Sequence, residues 1–216
     1  EAHAREIVGE GQRSLAWLGK FIAAEGLDCD FGVVGRFHAA HNAAQFEQLA
    51  RNAAQQPKGL EVKLHVVPRA EQHQELGTDA YWGGVVYEQH ASVDPARYHQ
   101  GLLQLVQQAG ATIAARCPAT RVEAEGTGFK VHTPRGEVRA RDVVIATNGY
   151  TGTLTPWLRR RVIPIGSYII ATEALPPETM RRLMPRNRIV SDTRKVVLYY
   201  RASPDQTRIL FGWRAS

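Results

Sequence analysis

Behind Asp142 runs Val143-Val144-Ile145-Ala146, apolar at every position, and the run stops abruptly at Thr147-Asn148-Gly149. A strand with one wet face alternates apolar and polar residues. A run apolar throughout reads as a strand buried on both faces, as in a parallel sheet. Just before it, Phe129, Val131 and Thr133 alternate with polar residues, and Val138 and Ala140 resume the alternation. Thr133-Pro134-Arg135-Gly136 between them suits a type I turn, so residues 129–140 read as a hairpin. Thr120 to Glu125 supplies a third strand, and Thr112 to Ala115 a short one before it. The order is therefore a short strand, a three-stranded meander and a buried strand of the parallel-sheet type.

The helix feeding this region is the clearest in the chain. Asp94 is placed to cap it, Pro95 occupies the first helical position, Tyr98, Leu102, Leu105 and Ala109 share a face, and Gly110 ends it. Upstream, Val8, Leu15, Leu18 and Ile22 share one face of a helix over 1–26. Phe31 to His38 reads as a strand, and Asn42 as the cap of a helix to about Gln56. Val62, Leu64 and Val66 alternate, and 68–76 suits a short helix. Tyr81 to Glu88 reads as a strand broken at Gly83-Gly84. After residue 150 the texture changes. Strands at Tyr168–Ala171, Val196–Tyr200 and Arg208–Phe211 are separated by Pro-rich turns, with a short helix over 178–183. That is the texture of an antiparallel sheet. Helices, a buried strand and an antiparallel stretch together read as a mixed α/β fold class.

The 216 residues are 44% hydrophobic and 22% charged, ordinary for a globular protein. No apolar run approaches the roughly 20 residues that span a bilayer, so no membrane partner is expected. The net charge of +6 is uneven. Residues 1–110 hold 9 basic and 13 acidic side chains, and residues 111–216 hold 18 and 8. The basic half reads either as a solvated surface or as a module for an anionic partner. The Arg159-Arg160-Arg161 run lacks the interleaved aromatics of a nucleic-acid groove, so no nucleic acid is expected. Cys29 and Cys117 are far apart and make no metal spacing, which suits a reducing, cytoplasmic compartment. His38 and His41 have the spacing of one helix face, but with no third ligand nearby no metal is expected.

The usual phosphate cradles are absent, with no strand–GxGxxG–helix and no GxxxxGK[ST], and so is the nucleophile elbow GxSxG. What remains is the turn at Ala146-Thr147-Asn148-Gly149-Tyr150. Ligands of open α/β sheets bind beyond the carboxyl ends of strands. Asn-Gly is equally common in plain turns, so both readings stand.

Ala146-Thr147-Asn148-Gly149-Tyr150-Thr151 followed by Pro156, Pro164, Ser167 and Ala171-Thr172-Glu173 resembles the D-amino-acid-oxidase-type FAD-dependent oxidoreductases, in their gamma-glutamylputrescine-oxidoreductase-like branch. Cys29-Asp30, Tyr81-Trp82-Gly83-Gly84, Asp94-Pro95 with Tyr98 and Gly101-Leu102, and Ser191-Asp192 before Tyr199-Tyr200 match in order along nearly the whole chain. The resemblance implies an FAD-dependent oxidoreductase that oxidises the C–N bond of an amine or amino acid. Its plan would be a partial FAD-binding doubly wound domain interrupted by the β-meander, residues 1–30 and 94–160, plus a substrate domain on a mixed, largely antiparallel sheet, residues 31–93 and 161–216. It would also set Arg121 and Val122 against the adenine part of FAD, and Ala146, Thr147, Asn148, Gly149 and Tyr150 near the pyrophosphate and ribose. Tyr81, Trp82, Tyr168, Tyr199, Arg201 and Trp213 are its candidates for substrate contact, with core packing the alternative for each. Tyr199 and Tyr200 point to opposite faces, so at most one lines a pocket. The family's GxGxxG unit would lie upstream of Glu1 and its flavin loop downstream of Ser216. On that expectation the chain is a central fragment, inactive alone, that does not retain FAD and self-associates through an exposed sheet.

Overall fold

The computed structural model describes residues 2–214. The chain forms two compact units. One takes the residues up to Leu105 together with those from Ser167 onward, and the other takes Val106 to Gly166.

In chain order the first unit begins with α1 (Ala2–Ala24), β1 (Gly32–Val33), β2 (Arg36–Ala39), α2 (Ala43–Ala54) and β3 (Leu64–Pro68). A 3-10 turn at Arg69–Gln74, β4 (Gly83–Tyr87), β5 (Ala91–Ser92) and the start of α3 (Pro95–Gln108) follow. The second unit carries the meander β6 (Arg121–Glu125), β7 (Gly128–Thr133) and β8 (Gly136–Ala140), a 3-10 turn at Asn148–Tyr150 and α4 (Pro156–Arg159). The first unit then resumes with β9 (Ser167–Ala171), α5 (Pro177–Leu183), β10 (Ile189–Asp192), β11 (Leu198–Ala202) and β12 (Ile209–Arg214).

Seven strands make one sheet in the order β3-β4-β2-β10-β11-β12-β9. Only β2 and β10 run parallel, and every other pairing is antiparallel. This is the mixed, largely antiparallel sheet that the family resemblance implied, and most of it is the antiparallel pairing that the strand pattern predicted. Its two faces differ. Phe37, Ala39, Val86, Val190, Tyr200 and Ile209 point to one side, where Met180 of α5, Met184 just past its end, Leu76 and Tyr81 close the core over them. Each such side chain contributes roughly 1.5–3 kcal/mol on burial. Arg36, His38, Ser191, Tyr199 and Arg201, at the alternate positions, point to the other side and stay half-exposed. Period-2 alternation in β2 and β11 produces both faces at once.

The two caps read from the sequence are present. The Asn42 side chain accepts from the Gln45 amide at 2.9 Å, and Asp94 Oδ1 accepts from Ala96 and Arg97 at 2.9 and 3.1 Å. Gly110 ends α3 at φ +84°. The strand expected over 31–38 is broken, because Gly35 turns the chain at φ +73° between β1 and β2. The break expected at Gly83-Gly84 is not there. Gly83 opens β4 at φ +87°, and Gly84 continues it because a Cβ would sit 2.9 Å from Phe37 Cε2.

Two expected strands are absent. Thr112–Ala115 is irregular. The apolar run 142–146 is not a strand either, and Val144 is 87% exposed. A strand buried on both faces needs a neighbour on each side, and no described strand pairs with this run. The meander itself forms as expected, stitched by Lys130 Nζ to Glu125 at 2.9 Å and His132 Nε2 to Glu123 at 2.7 Å. Three elements escaped the pattern: β5, two residues long, β10, only four, and α4, a single turn behind Thr155.

Candidate functional site

The open face of the seven-stranded sheet gathers the polar side chains of the first unit. β2 contributes Arg36 and His38, two residues apart and so on one face. Across the parallel ladder His38 stands opposite Ser191, and its Nδ1 lies 2.9 Å from the Ser191 hydroxyl. In the next strand Tyr199 is the partner of Ser191. The Tyr199 hydroxyl reaches Ser167 Oγ at 2.5 Å, and Arg201 donates to the Val93 carbonyl at 2.9 Å. His38, Ser191 and Tyr199 thus form one row across three strands, with Arg36 and Arg201 in the row below.

Burial pushes the His38 imidazole below its ordinary range. Arg36 adds to this by charge, while Ser191 and Asp192 pull the other way. Around neutral pH the ring is therefore uncharged, with Nδ1 engaged by Ser191 and Nε2 left as the atom that can take a proton. Arg36 is itself half-buried, its guanidinium 4.9 Å from the centre of the Tyr87 ring.

Of the six residues expected to contact substrate, Tyr199 and Arg201 share this face. Tyr168 and Trp213, partners across β9 and β12, share the register parity of Tyr200 and Phe211 and so belong to the opposite face. Tyr81 is 3% exposed, its hydroxyl 3.5 Å from that of Tyr200. These two line a small apolar cleft of about 280 Å³ with Leu76, Met184 and Phe211. Burial drives the Tyr200 phenol far above its usual value and Tyr81 upward as well, so both stay protonated and can only share neutral hydrogen bonds. Trp82 lies half-exposed beneath the Arg69 guanidinium, 4.1 Å from its ring centre. Arg36, His38 and Ser191 were not singled out as substrate candidates. The signal for the first two was the alternation Arg36-Phe37-His38-Ala39.

The histidine pair proposed for one helix face is split instead. His38 lies in β2 and His41 beyond its end, where His41 Nδ1 meets Thr193 Oγ1 at 2.7 Å. Among the described residues no group of three or more His, Cys, Asp or Glu is gathered to hold a metal ion. No helix is long and apolar enough to cross a membrane.

In the second unit, Ala146 to Tyr150 form an exposed turn, and Tyr150 is 95% accessible. Asn148 adopts φ +46°, and the Thr151 hydroxyl donates to its carbonyl at 2.6 Å. Nothing lies within 4 Å of where a Cβ on Gly149 would stand. Arg121 and Val122 open β6, the edge strand of the meander, and Arg121 is ion-paired to Glu123. Open donors on a turn and an unpaired strand edge fit hydrogen bonding to ribose, phosphate or adenine.

The chain belongs to the FAD dependent oxidoreductase family, whose model matches residues 1–215. It is 31% identical over 215 residues to a probable oxidoreductase OrdL of Rhizobium meliloti, covering 98% of this chain and 49% of that protein. It is 27% identical over 187 residues to gamma-glutamylputrescine oxidoreductase of Escherichia coli, covering 86% and 43%. The chain thus spans about half the length of the curated relatives it matches. Among solved structures, glycine oxidase from Geobacillus kaustophilus superposes with a TM-score of 0.73 at 16% identity, over 97% of this chain and 56% of that one. L-proline dehydrogenase from P. horikoshii gives 0.71 at 16% identity, over 92% and 53%. These likenesses establish the shared fold.

Proposed function

We propose that this chain forms part of an FAD-dependent oxidoreductase acting on the C–N bond of an amine or amino acid, with the open face of its sheet turned toward substrate. The row His38–Ser191–Tyr199 carries the reading. It places a neutral imidazole and a phenol on one row of the sheet's polar face, the face opposite α5. FAD, when bound, takes the hydride from the carbon next to nitrogen; the imine left behind adds water and separates into a carbonyl compound and an amine.

The chain's own residues prepare the substrate for that step. A protonated amine holds its lone pair in an N–H bond and cannot push out a hydride. His38, neutral because it is half-buried beside Arg36, is the group suited to accept that proton. Ser191 fixes the imidazole ring through Nδ1, and Ser167 orients the Tyr199 hydroxyl. Of the sequence candidates, Tyr199 and Arg201 belong to this surface. For the cofactor, Ala146, Thr147, Asn148, Gly149 and Tyr150 are assigned to the pyrophosphate and ribose, and the β6 edge at Arg121-Val122 to the adenine. The domain plan follows: 1–30 and 94–160 on the cofactor side, 31–93 and 161–216 on the substrate side. The free thiols of Cys29 and Cys117 support a cytoplasmic setting.

The test is product analysis on FAD-loaded protein from the full reading frame that contains these residues. Incubated with primary amines, secondary amines and amino acids, it is expected to convert at least one of them to a carbonyl compound with release of one amine or ammonia. A complete panel without carbonyl product contradicts the reading. The 216-residue chain alone is expected to purify colourless; stoichiometric yellow flavin would overturn that part.

A further inference from the structure

Below the His38 row, a groove of about 750 Å³ opens between α1 and the β1, β2, β4 and β5 ends of the first unit. That volume is within the roughly 300–1,000 Å³ typical of small-molecule sites. Its walls are mainly apolar, with Val8, Leu15 and Ala16 on the helix side and Phe31 and Val33 on the strand side. The charged residues along it are Lys20, Arg36 and Lys63, and none of its lining residues is Asp or Glu. Arg36 Nε is buried and has no hydrogen-bond partner among the described residues. A buried donor without an acceptor is costly, and more so when it belongs to a charged group. The Tyr87 ring, 4.9 Å from the guanidinium carbon, holds the plane in place but accepts no hydrogen bond from Nε.

We propose that this groove is a binding site for a small aliphatic carboxylate, with Arg36 taking the carboxylate and the α1 wall taking the hydrocarbon. The planar guanidinium matches two carboxylate oxygens, which a point-charge lysine cannot do. Lys20 and Lys63 add a positive rim that repels cationic ligands. Gly19 lets the helix come close to the strand side, since a Cβ there would stand 3.2 Å from the Phe31 ring. The inference stands apart from amine oxidation: it needs neither flavin nor turnover, and it fails or holds independently of that activity.

Titration calorimetry on the protein in its full reading frame, with octanoate, octanol and octylamine as probes, tests it. Octanoate is expected to bind saturably, octanol far more weakly and octylamine not at all. Arg36→Met is expected to weaken octanoate by roughly tenfold or more, the usual effect of losing a charge-assisted hydrogen bond. Arg36→Lys is expected to fall between the two. Ala16→Trp, at an exposed helix position that leaves Arg36 intact, is expected to fill the groove and abolish binding. Circular dichroism checks that each variant is folded. If Arg36→Met does not fold, Ala16→Trp and Arg36→Lys decide. Octanol binding as tightly as octanoate, or wild-type affinity in Ala16→Trp or Arg36→Met, overturns the proposal.

Discussion

The Tyr199 ring lies across the backbone of Gly212, its partner in the next strand, so closely that a Cβ at Gly212 would overlap the ring. The glycine is there for space: Gly212 is absent from the left-handed positions, and its neighbour's aromatic ring occupies the volume a side chain would need. This contact lays the phenol flat along the open face and brings its hydroxyl to Ser167.

Gly212→Ala is therefore expected to push Tyr199 off the sheet and destabilise the fold by about 1–3 kcal/mol, the usual cost of overpacking. Urea unfolding measures the loss. Combining it with Tyr199→Ala is expected to recover most of it, since the atoms nearest to a Cβ there all belong to that ring. Additive losses in the double variant would contradict the contact.

Arg188 joins three segments. Its Nε donates to Glu75 at 2.7 Å and its Nη1 to the Val34 carbonyl at 3.0 Å, with the Glu75 side chain only 9% exposed. Arg188→Met leaves that carboxylate buried and unpaired, and is expected to cost about 3 kcal/mol. Chemical denaturation reads the change. A loss no larger than that of an exposed pair, such as Arg13→Met beside Glu10, would contradict it.

His38 and His90 are both held below the ordinary imidazole value of 6.5, first by burial and then by Arg36. Between that depressed value and 6.5 the unfolded chain binds more protons than the folded one. Stability is then complete above about pH 6.5 and declines as the pH falls through the folded-state values. Unfolding free energies at intervals from neutral to mildly acid pH should show this slope, and the His38→Gln, His90→Gln double variant should flatten it. An unchanged slope in the double variant would refute the assignment.

β9 is an edge strand whose five residues are all exposed, with Ile169 66% accessible, and no proline or charge guards it. Unprotected edges pair with other strands. Ile169→Lys is expected to shift the isolated chain toward smaller species in sedimentation velocity. An unaltered distribution would show that this edge does not associate.

Much of this was legible in the sequence. Asn42 and Asp94 name their helices because a cap is a local device. The meander is legible because alternation and turn chemistry are local too. The run 142–146 misled: its apolar pattern reports a need for neighbours on both faces, and the described residues do not supply them. Tyr168, Tyr199 and Trp213 were recognisable as strand aromatics, yet which face each takes depends on register, and register follows from cross-strand pairing. Arg36 and His38 were hidden for the same reason. Their alternation was visible, but the partner Ser191 lies 153 positions away in a four-residue strand too short for any periodicity to register.

The central claim is that the open face is the substrate side. Anaerobic reduction of bound FAD by an amine substrate, followed by loss of flavin colour in protein from the full reading frame, tests it most directly. His38→Ala and Tyr199→Phe are expected to slow reduction by roughly tenfold or more, the low end of a general-base contribution, while keeping FAD bound. Tyr81→Phe and Trp213→Phe, on the covered side, are expected to reduce at the wild-type rate. Slowing confined to the Tyr81 and Trp213 variants would contradict the account and move the substrate to the cleft beside Tyr200.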